Sequence, residues 1–513
     1  MFVAGMLVIL SSAGFANSVV AQDEIRLIAS IEVLGLEPES ADSLDLTSQL
    51  SPLIEGAVGD TLSSEYIESM LREILTALTE EGYLAARASL MSIQPEDQGY
   101  AVRIDVGRGP LTRITDIRLD GDNRTKPGFV RQLTGLTRGH PASGVDLDDI
   151  RSSILRGGFH RHVGRPGFEL TSDSTAHILV PVSPRSPGSF DMVMGFLPAK
   201  DGSSSQLIGN GHIELLNAFG FGRVFGARIS RLPGQASSVR LNAEDPMFLG
   251  LPVRLAGSFD GYQEDSTYSK ISLGMGASLR IEKGSEIGVR YSRESTRPGQ
   301  SGSNLLSGLQ SVASSSVNFW GVEIRFQKVD NPAQPRRGMT FESLLQRGIR
   351  TSSRRIVVVG DTLRIASNDV QERLTMKTRV YQPIKGRLSI VAGVDLGIIR
   401  SDDLDESELF LIGGASSLRG YDENRFRGKT VARSLLEARA FIDEVSYGFV
   451  FLDLGFVDRP TSEGEANLEE WYPGFGFGFV MDTSLGPVSI SYAMNSEDPL
   501  SQGRVHIGMS FGL

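Results

Sequence analysis

The segment Gly413–Phe426 reads GGASSLRGYDENRF and matches neither a helix nor a strand pattern. Its glycines allow positive φ angles and close backbone approach, which predicts a shaped loop. Strand-like sequence precedes it at Leu388–Ile399 and follows it at Val431–Ile442. A connection of about 30 residues between strands is long, and such connections are usually functional or disordered. The residues alone leave a shaped functional loop and a flexible surface loop equally open.

The composition predicts several domains with many turns and short strands. The 513 residues allow about two to four domains. A net charge of −11 with 22% charged residues favours neither a polybasic nucleic-acid surface nor a charged tail. Glycine is abundant at 58 residues. Cysteine is absent from the sequence, which excludes disulfides, cysteine-ligated metals and thiol chemistry.

Residues 1–21 resemble a secretory signal peptide, with an apolar stretch at Val3–Ile9 and small residues ending at Ala21. No Lys or Arg precedes the apolar stretch, which departs from the usual signal. Downstream, no run of about 20 apolar residues could form a transmembrane helix. If the chain enters a membrane, only a closed β-barrel can satisfy its backbone hydrogen bonds there.

Two segments of mixed pattern follow, at 22–110 and 111–185. The first predicts a strand, two helices and two strands, at Leu27–Val33, Ser48–Ala57, Leu62–Leu78, Ala85–Ile93 and Tyr100–Val106. Ser63 or Ser64 is the expected N-cap of the longer helix. The second segment repeats the order, at Ile114–Leu119, Lys126–Leu136, Asp146–Leu155, Phe168–Thr171 and Ala176–Val182. The sequence therefore predicts two α+β repeats.

From Ser189 to Leu513 the pattern changes to weak alternation of apolar and polar residues, broken by turn residues. Roughly 16 strands can be placed, which suits the even numbers of bacterial barrels. They begin near residues 189, 206, 222, 236, 252, 267, 285, 314, 339, 370, 386, 431, 446, 472, 486 and 503. Residues 189–513 therefore predict an all-β antiparallel transmembrane barrel.

The last strand has the clearest alternation. One face carries only apolar residues, which are Val505, Ile507, Met509, Phe511 and Leu513. The other face carries His506, Gly508, Ser510 and Gly512. A strand of a soluble sheet could show the same alternation. An apolar face suits lipid, however, and the strand lies at the end of the sequence, so we expect it to close the barrel.

Leu418-Arg419-Gly420-Tyr421, preceded by Gly413-Gly414, resembles the (V/I/L)RG(F/Y) signature of the BamA-like superfamily of outer-membrane proteins. Four other segments resemble motifs of this superfamily and occur in the expected order. They are LLNAFGFGR at Leu215–Arg223, EDPMFLGL at Glu244–Leu251, DNPAQPRRG at Asp330–Gly338 and GPVSISY at Gly486–Tyr492. Together they make the resemblance specific over most of the expected barrel.

The resemblance implies two periplasmic POTRA domains, at 22–110 and 111–185, before a 16-stranded outer-membrane barrel. It implies that the sixth extracellular loop, at about 400–431, folds back into the lumen. The implied partners are unfolded outer-membrane or secreted client proteins, outer-membrane lipid and periplasmic accessory proteins. POTRA domains would bind clients by adding a strand to a sheet edge. No enzymatic activity, cofactor or nucleic-acid partner is expected.

The segment FVFLDLGF at Phe449–Phe456 predicts an inward-facing carboxylate. Asp453 alternates with a purely apolar face, and a charge facing lipid would cost a few kcal/mol. The same alternation in the strand at 431 places Glu437 inward. Phe451-x-Asp453-x-Gly455 resembles the superfamily's F-x-D-x-G motif, which implies that Arg419 pairs bidentately with Asp453, with Glu437 nearby. On the residues alone, these charges could instead line a wet pore.

The resemblance also implies a lateral seam between the first and last strands, where client strands would be templated. Its expected residues are Gly508, Ser510, Phe511, Gly512 and Leu513. Gly508-Met509-Ser510-Phe511-Gly512 also fits the hydrolase pattern G-x-S-x-G, but it lies in a strand, so no catalytic residue is predicted. His160-x-His162 has no acidic partner at matching spacing, so no metal site is predicted.

Three functions remain open. A general factor for outer-membrane protein assembly or translocation is the first. A two-partner secretion transporter for one dedicated protein is the alternative, and the two repeats favour it. The first strand begins at Leu27, soon after the expected cleavage at Ala21, which leaves no room for the plug helix of such transporters and favours assembly. A passive or adhesive barrel is the third, and the repeats and the Arg419 loop disfavour it.

Overall fold

The structure is a computed structural model. It describes residues 27–35, 46–197, 206–231, 236–282, 284–306, 309–331, 334–358, 361–443, 445–459, 468–483, 486–499, 502–509 and 511–512. The expected signal peptide at 1–21 and the seam residues Ser510 and Leu513 lie outside these ranges.

The first α+β module has the predicted order of strand, two helices and two strands. Its elements are β1 (Ile28–Leu34), α1 (Leu46–Ala57), α2 (Ser64–Glu80), β2 (Arg87–Glu96) and β3 (Gly99–Gly107). The sheet order is β1-β3-β2, with β1 parallel and β2 antiparallel to β3. Ser63 caps α2, since its hydroxyl accepts a hydrogen bond from the Tyr66 amide at 3.1 Å. The predicted apolar face of α2 is buried, with Ile74 and Leu78 fully enclosed.

The second α+β module is richer in strands than predicted. Its elements are β4 (Arg113–Asp120), α3 (Pro127–Thr134), β5 (His140–Pro141), α4 (Leu147–Arg156), β6 (His160–Val163), β7 (Gly167–Ser172) and β8 (Thr175–Pro184). The sheet order is β5-β4-β8-β6, and β7 pairs with β8. The prediction missed β5 and β6, because strands of two and four residues are too short to show a period of two.

Contacts between Cα atoms divide the chain into two compact units. The first contains the described residues up to Asn123, together with Leu133–Ser152 and His162–Ser183. The second contains Arg124–Gln132, Ser153–Arg161 and Pro184–Leu513. No helix among the described residues is long and apolar enough to cross a membrane.

The second unit contains a large antiparallel sheet. Its first strands are β9 (Gly188–Leu197), β10 (Gln206–Ala218), β11 (Arg223–Arg231), β12 (Ser237–Asp245), β13 (Val253–Glu264), β14 (Tyr268–Glu282) and β15 (Ser285–Pro298). The short strands β16 (Leu305–Leu306) and β17 (Leu309–Gln310) follow. Next come β18 (Ser314–Val329), β19 (Gly338–Val358), β20 (Asp361–Pro383) and β21 (Leu388–Arg400). The short strands β22 (Phe410–Ile412) and β23 (Phe426–Gly428) precede β24 (Thr430–Phe441), β25 (Tyr447–Arg459), β26 (Leu468–Thr483), β27 (Gly486–Asn495), β28 (Arg504–Met509) and β29 (Phe511–Gly512).

When β28 and β29, which lie on either side of residue 510, are counted as one strand, the described part of the chain has the 16 long antiparallel strands that were predicted. Neighbours in sequence pair around a ring, and β29 pairs back to β9 through Phe511 with Phe190 and Gly512 with Ser189. The largest error in a predicted start is at β20, which begins at Asp361 instead of near 370. Its first six residues are exposed whichever face they occupy, so they lack the alternation that marks a half-buried strand.

The strands alternate between an inner face, inside the ring, and an outer face. On β25, Phe451, Asp453 and Gly455 are buried and Val450, Leu452 and Leu454 are exposed, as predicted. On β28, Val505 and Ile507 are exposed on the outer face. The inner face is therefore where polar and charged side chains can meet.

Candidate functional site

The predicted loop is an ordered hairpin. The connection from β21 to β24 contains β22 and β23, which pair through Phe410 with Gly428 and Ile412 with Phe426. Residues 413–425 therefore form a closed tip. Gly413 and Gly414 at its start have φ values of +130° and +101°, a region that favours glycine. The structure thus decides for the shaped loop over the flexible one.

Arg419 at the tip contacts the two acids that the resemblance implied as its partners. Its Nε and Nη2 atoms donate to the two carboxylate oxygens of Asp453 at 2.8 and 2.7 Å. Its Nη1 atom donates to Glu437 at 2.7 Å, and its backbone amide donates to Asp453 at 3.2 Å. Asp453 is fully buried, and the Arg419 side chain is 13% exposed. We call these three residues the Arg419 cluster.

The strands beneath the tip are shaped to receive this arginine. The Phe451 ring lies under the guanidinium, with 3.6 Å between its centroid and Cζ, a favourable cation–π contact. A side chain at Gly474 on β26 would place its Cβ 2.0 Å from the carbonyl oxygen of Arg419. Glycine at 474 is therefore required for the tip backbone to approach the wall.

The other residues of the signature are also buried. Leu418 is fully buried and packs over Gly455. A Cβ added at Gly455 would lie 2.6 Å from the Cδ2 atom of Leu418. Gly420 has a φ of +94°, and a Cβ there would lie 2.3 Å from the Met494 carbonyl oxygen. Glycine is therefore required at 420 by its own conformation and at 455 by the packing of Leu418.

Tyr421 completes the signature with a ring and a hydroxyl. The side chain is fully buried, and its hydroxyl donates to the Pro473 carbonyl at 2.9 Å. Its ring meets Phe426 edge-on at 5.1 Å between centroids, and Phe426 stacks on Tyr472 at 3.8 Å. The tip is therefore held by apolar packing as well as by charge.

Sequence reasoning missed a second cluster at the start of the connection. Arg350 on β19 is fully buried, and its Nε donates to both oxygens of Glu408 at 2.9 and 3.0 Å. Its Nη1 contacts Asp369 at 3.2 Å and Asp403 at 3.4 Å. We call these four residues the Arg350 cluster. The exposed Arg347 on the outer face of the same strand weakens the alternation that could have placed Arg350 inward.

A third group, also missed, involves the last long strand. Arg504, the first residue of β28, pairs with Asp422 of the tip at 2.8 Å and with Asp498 at 2.7 Å. Arg504 shares its parity with His506 and Gly508, so alternation could have placed it on the inner face. The hydrogen bonds from Arg504 also lower the pKa of the Asp422 carboxyl, which lies in the connection and not in a strand.

The predicted seam residues are only partly described. Gly508 lies on β28 and pairs with Ser489 of β27. Among the described residues, Phe511 and Gly512 provide the pairs that join the last strand to β9. The structure thus brings Leu418, Arg419, Gly420, Tyr421, Asp453 and Glu437 into one site, with the described seam residues on a different part of the sheet.

Comparisons with known proteins agree with this architecture. The sequence profile described as the Omp85 superfamily domain matches residues 217–512, more than half of the chain. The comparison with curated proteins gives no match.

Solved structures of similar fold include BamA from Haemophilus ducreyi lacking POTRA domains 1–3. It has a TM-score of 0.54 and 17% identity, and the alignment covers 94% of this chain and 99% of that one. CdiB from Acinetobacter baumannii has a TM-score of 0.46 and 13% identity, with 96% and 90% covered. CdiB from Escherichia coli has a TM-score of 0.47 and 14% identity, with 97% and 92% covered. The BamA alignment shows a shared fold.

The profile match contains the signature loop, the acids that hold its arginine and the described part of the last strand. The same family match therefore covers both the site and the strands that form it. The chain belongs to the Omp85 superfamily of outer-membrane β-barrel proteins, which insert or translocate other proteins.

Proposed function

We propose that this protein inserts client proteins into the bacterial outer membrane or transports them through it, as a POTRA-equipped barrel. The Arg419 cluster is the observation that carries the proposal. A bidentate, mostly desolvated ion pair fixes the direction of a guanidinium and its backbone more strictly than a wet surface pair. The protein needs no cofactor for this role, since it moves polypeptide and makes or breaks no covalent bond.

The outer face of the large sheet supports a membrane location. Apolar side chains on several strands are exposed there, including Leu452 on β25, Phe477 on β26 and Ile507 on β28. Trp320 and Trp471 are 67% and 63% exposed. Exposed apolar residues in this number would be unfavourable in water, and a band of them with tryptophans suits lipid. We therefore propose that the 16 strands span the outer membrane as a barrel.

We further propose that the two α+β modules are POTRA domains, at 22–110 and 111–185, in the periplasm. In the first module, β2 lies at one edge of the sheet, and Met91 on it is 64% exposed. An edge strand can pair with an extended client segment through its backbone, and exposed apolar side chains add contact area. Client recognition at this edge would not require one particular client sequence.

A two-partner secretion transporter is the second candidate. Among the described residues, two α+β modules precede the large sheet, which is the number expected of such transporters under the resemblance. The candidates differ in client range, because a transporter of this kind would serve one dedicated exported protein.

Depletion of the protein tests both candidates. The measurement is a quantitative comparison of the outer-membrane and culture-medium proteomes before and after depletion. Broad loss of barrel proteins from the membrane would support the assembly factor. Loss of one secreted protein with the barrels intact would support the dedicated transporter. An unchanged pair of proteomes would contradict both and favour a passive barrel.

A further inference from the structure

The last long strand has different contacts at its two ends. Near the C-terminus, β29 pairs with β9 through two residue pairs. The described residues of β28 pair only with β27, from Arg504 opposite Ala493 to Met509 opposite Val488. Within the described part of the chain, the edge of β28 that faces away from β27 therefore lacks a strand partner. Apart from its pairing with β27, the Arg504 end must be held by contacts outside the strand ladder.

The loop tip supplies that contact through Arg504. The Nε and Nη2 atoms of Arg504 donate to the two carboxylate oxygens of Asp422 at 2.8 and 3.3 Å. Its Nη1 donates to the Gly420 carbonyl at 2.8 Å and to Asp498 at 2.7 Å. We call Gly420, Asp422, Asp498 and Arg504 the Arg504 cluster. One guanidinium thus contacts the signature itself and the residue that follows it.

A neighbouring amide reinforces the same carbonyl. The Nδ2 atom of Asn495, at the end of β27, donates to the Gly420 carbonyl at 2.7 Å. Asn495 is almost fully buried, and its side-chain oxygen accepts from the amides of Glu497 and Asp498 at 2.8 Å each. The Gly420 carbonyl therefore has donors from both final strands, which fixes where Arg504 must lie when the tip is docked.

The ion pair between Arg504 and Asp422 is partly exposed to water, which makes it easier to break than a buried pair. The Arg504 and Asp422 side chains are 22% and 60% exposed, whereas Asp453 in the Arg419 cluster is fully buried. Water can replace the partners of an exposed pair at low cost, while a buried pair leaves an unpaired charge behind. The Arg504 contacts can therefore break while Arg419 stays docked.

We propose that Arg504 is a positioning residue that couples the docked loop tip to the last strand. While Asp422 and the Gly420 carbonyl accept hydrogen bonds from Arg504, the beginning of β28 stays fixed to the loop tip. When these contacts break, β28 keeps only its pairing with β27 and becomes mobile at that end. This role extends the proposed function, because it specifies how the loop controls the last strand. Its meaning for client passage rests on that proposed function.

The chain offers a matched control. Arg425 of the tip pairs with Glu497 at 2.6 Å, and the two side chains are 35% and 38% exposed. This pair links the same tip to the connection before β28, but it does not contact β28 itself. Glu497→Gln therefore removes an exposed tip ion pair of the same kind and leaves the Arg504 contacts in place.

The test is hydrogen–deuterium exchange of the full chain in lipid nanodiscs, read by mass spectrometry. We expect Arg504→Gln to speed exchange in the peptide covering 504–509 several-fold, with Glu497→Gln close to the unsubstituted protein. Arg504→Lys, which keeps the charge and loses the bidentate geometry, should lie between the two. Unchanged exchange at 504–509 in Arg504→Gln, or an equal increase in Glu497→Gln, would overturn the proposal.

Asp422→Asn provides a second variant should Arg504→Gln fail to fold. Asp422 is exposed, and the substitution removes the ion pair from the loop side while the Gly420 carbonyl and Asp498 still accept from Arg504, so a smaller increase in exchange at 504–509 is expected. Unchanged exchange in this variant would count equally against the coupling. The exchange is measured without any client, so it can succeed or fail independently of the proteome comparison that tests the proposed function.

Discussion

Replacing Arg419 with alanine should undock the loop tip while the large sheet stays folded. Arg419 provides three donors to the buried Asp453. After the substitution only one of them remains, the backbone amide of residue 419 at 3.2 Å. Breaking a buried ion pair from one side costs about 3–5 kcal/mol. Since about 1.4 kcal/mol corresponds to a tenfold change in an equilibrium constant, the undocked population should rise by roughly two to three and a half orders of magnitude.

Limited proteolysis measures that population. Trypsin should cleave after Arg425 in the undocked tip, and the cleavage rate follows the open population when docking is fast compared with cleavage. Glu497→Gln is the control, because it removes an exposed pair of the same tip worth about 0–1 kcal/mol and keeps the cleavage site. Heat-modifiable migration on gels checks that the sheet is folded, and client delivery should be lost in Arg419→Ala alone. Cleavage no faster in Arg419→Ala than in Glu497→Gln, or full activity at normal abundance, would refute the anchoring role.

Three further predictions concern the same loop. Gly474→Ala should undock the tip without removing a charge, because the new Cβ would lie 2.0 Å from the Arg419 carbonyl oxygen; tryptic cleavage like that of the control would contradict this. Tyr421→Phe should weaken docking by only about 0.5–1.5 kcal/mol, since it loses the hydrogen bond to Pro473 and keeps the ring packing, as a proteolysis series can measure. Arg504 lowers the pKa of Asp422, so this pair should stabilise the docked tip above the ordinary carboxyl pKa of about 3.9 and lose its effect as pH falls through the lowered value. Hydrogen–deuterium exchange of the backbone amides at 504–509, corrected for intrinsic rates, should therefore stay slow until the pH falls to the lowered pKa of Asp422. Faster exchange already near neutral pH would contradict the prediction.

The inner-face chemistry could be predicted where one strand face is wholly apolar. On β25 the residues Val450, Leu452 and Leu454 form a wholly apolar face, so the alternation placed Asp453 on the opposite, inner face. The pairing of Arg419 with Asp453 came from the signature and the F-x-D-x-G motif, since periodicity carries no information on which loop meets which strand.

Contacts that depend on ring geometry could not be predicted. Arg504 and Asp422 are far apart in sequence, and they meet because the sheet curves until its last strand lies beside the folded-back tip. Arg350 and Glu408 meet for a similar reason, across three strands and the start of the connection. Alternation gives the face on which each residue lies, but the partner depends on strand tilt and loop path, which a local pattern does not contain.

The three clusters attach the loop to the strands through ion pairs that differ in burial. At its start the Arg350 side chain is fully buried against Glu408, and at its tip the Arg419 side chain is mostly buried against Asp453. The Arg504 cluster, which alone among the three contacts β28, is the most exposed. Because exposed pairs break at least cost and buried pairs at greatest cost, the contact with the last strand should open first and the start of the loop last. A client that draws β28 away from the tip would then meet little resistance, while the loop as a whole stays inside the ring and can dock again after the client leaves.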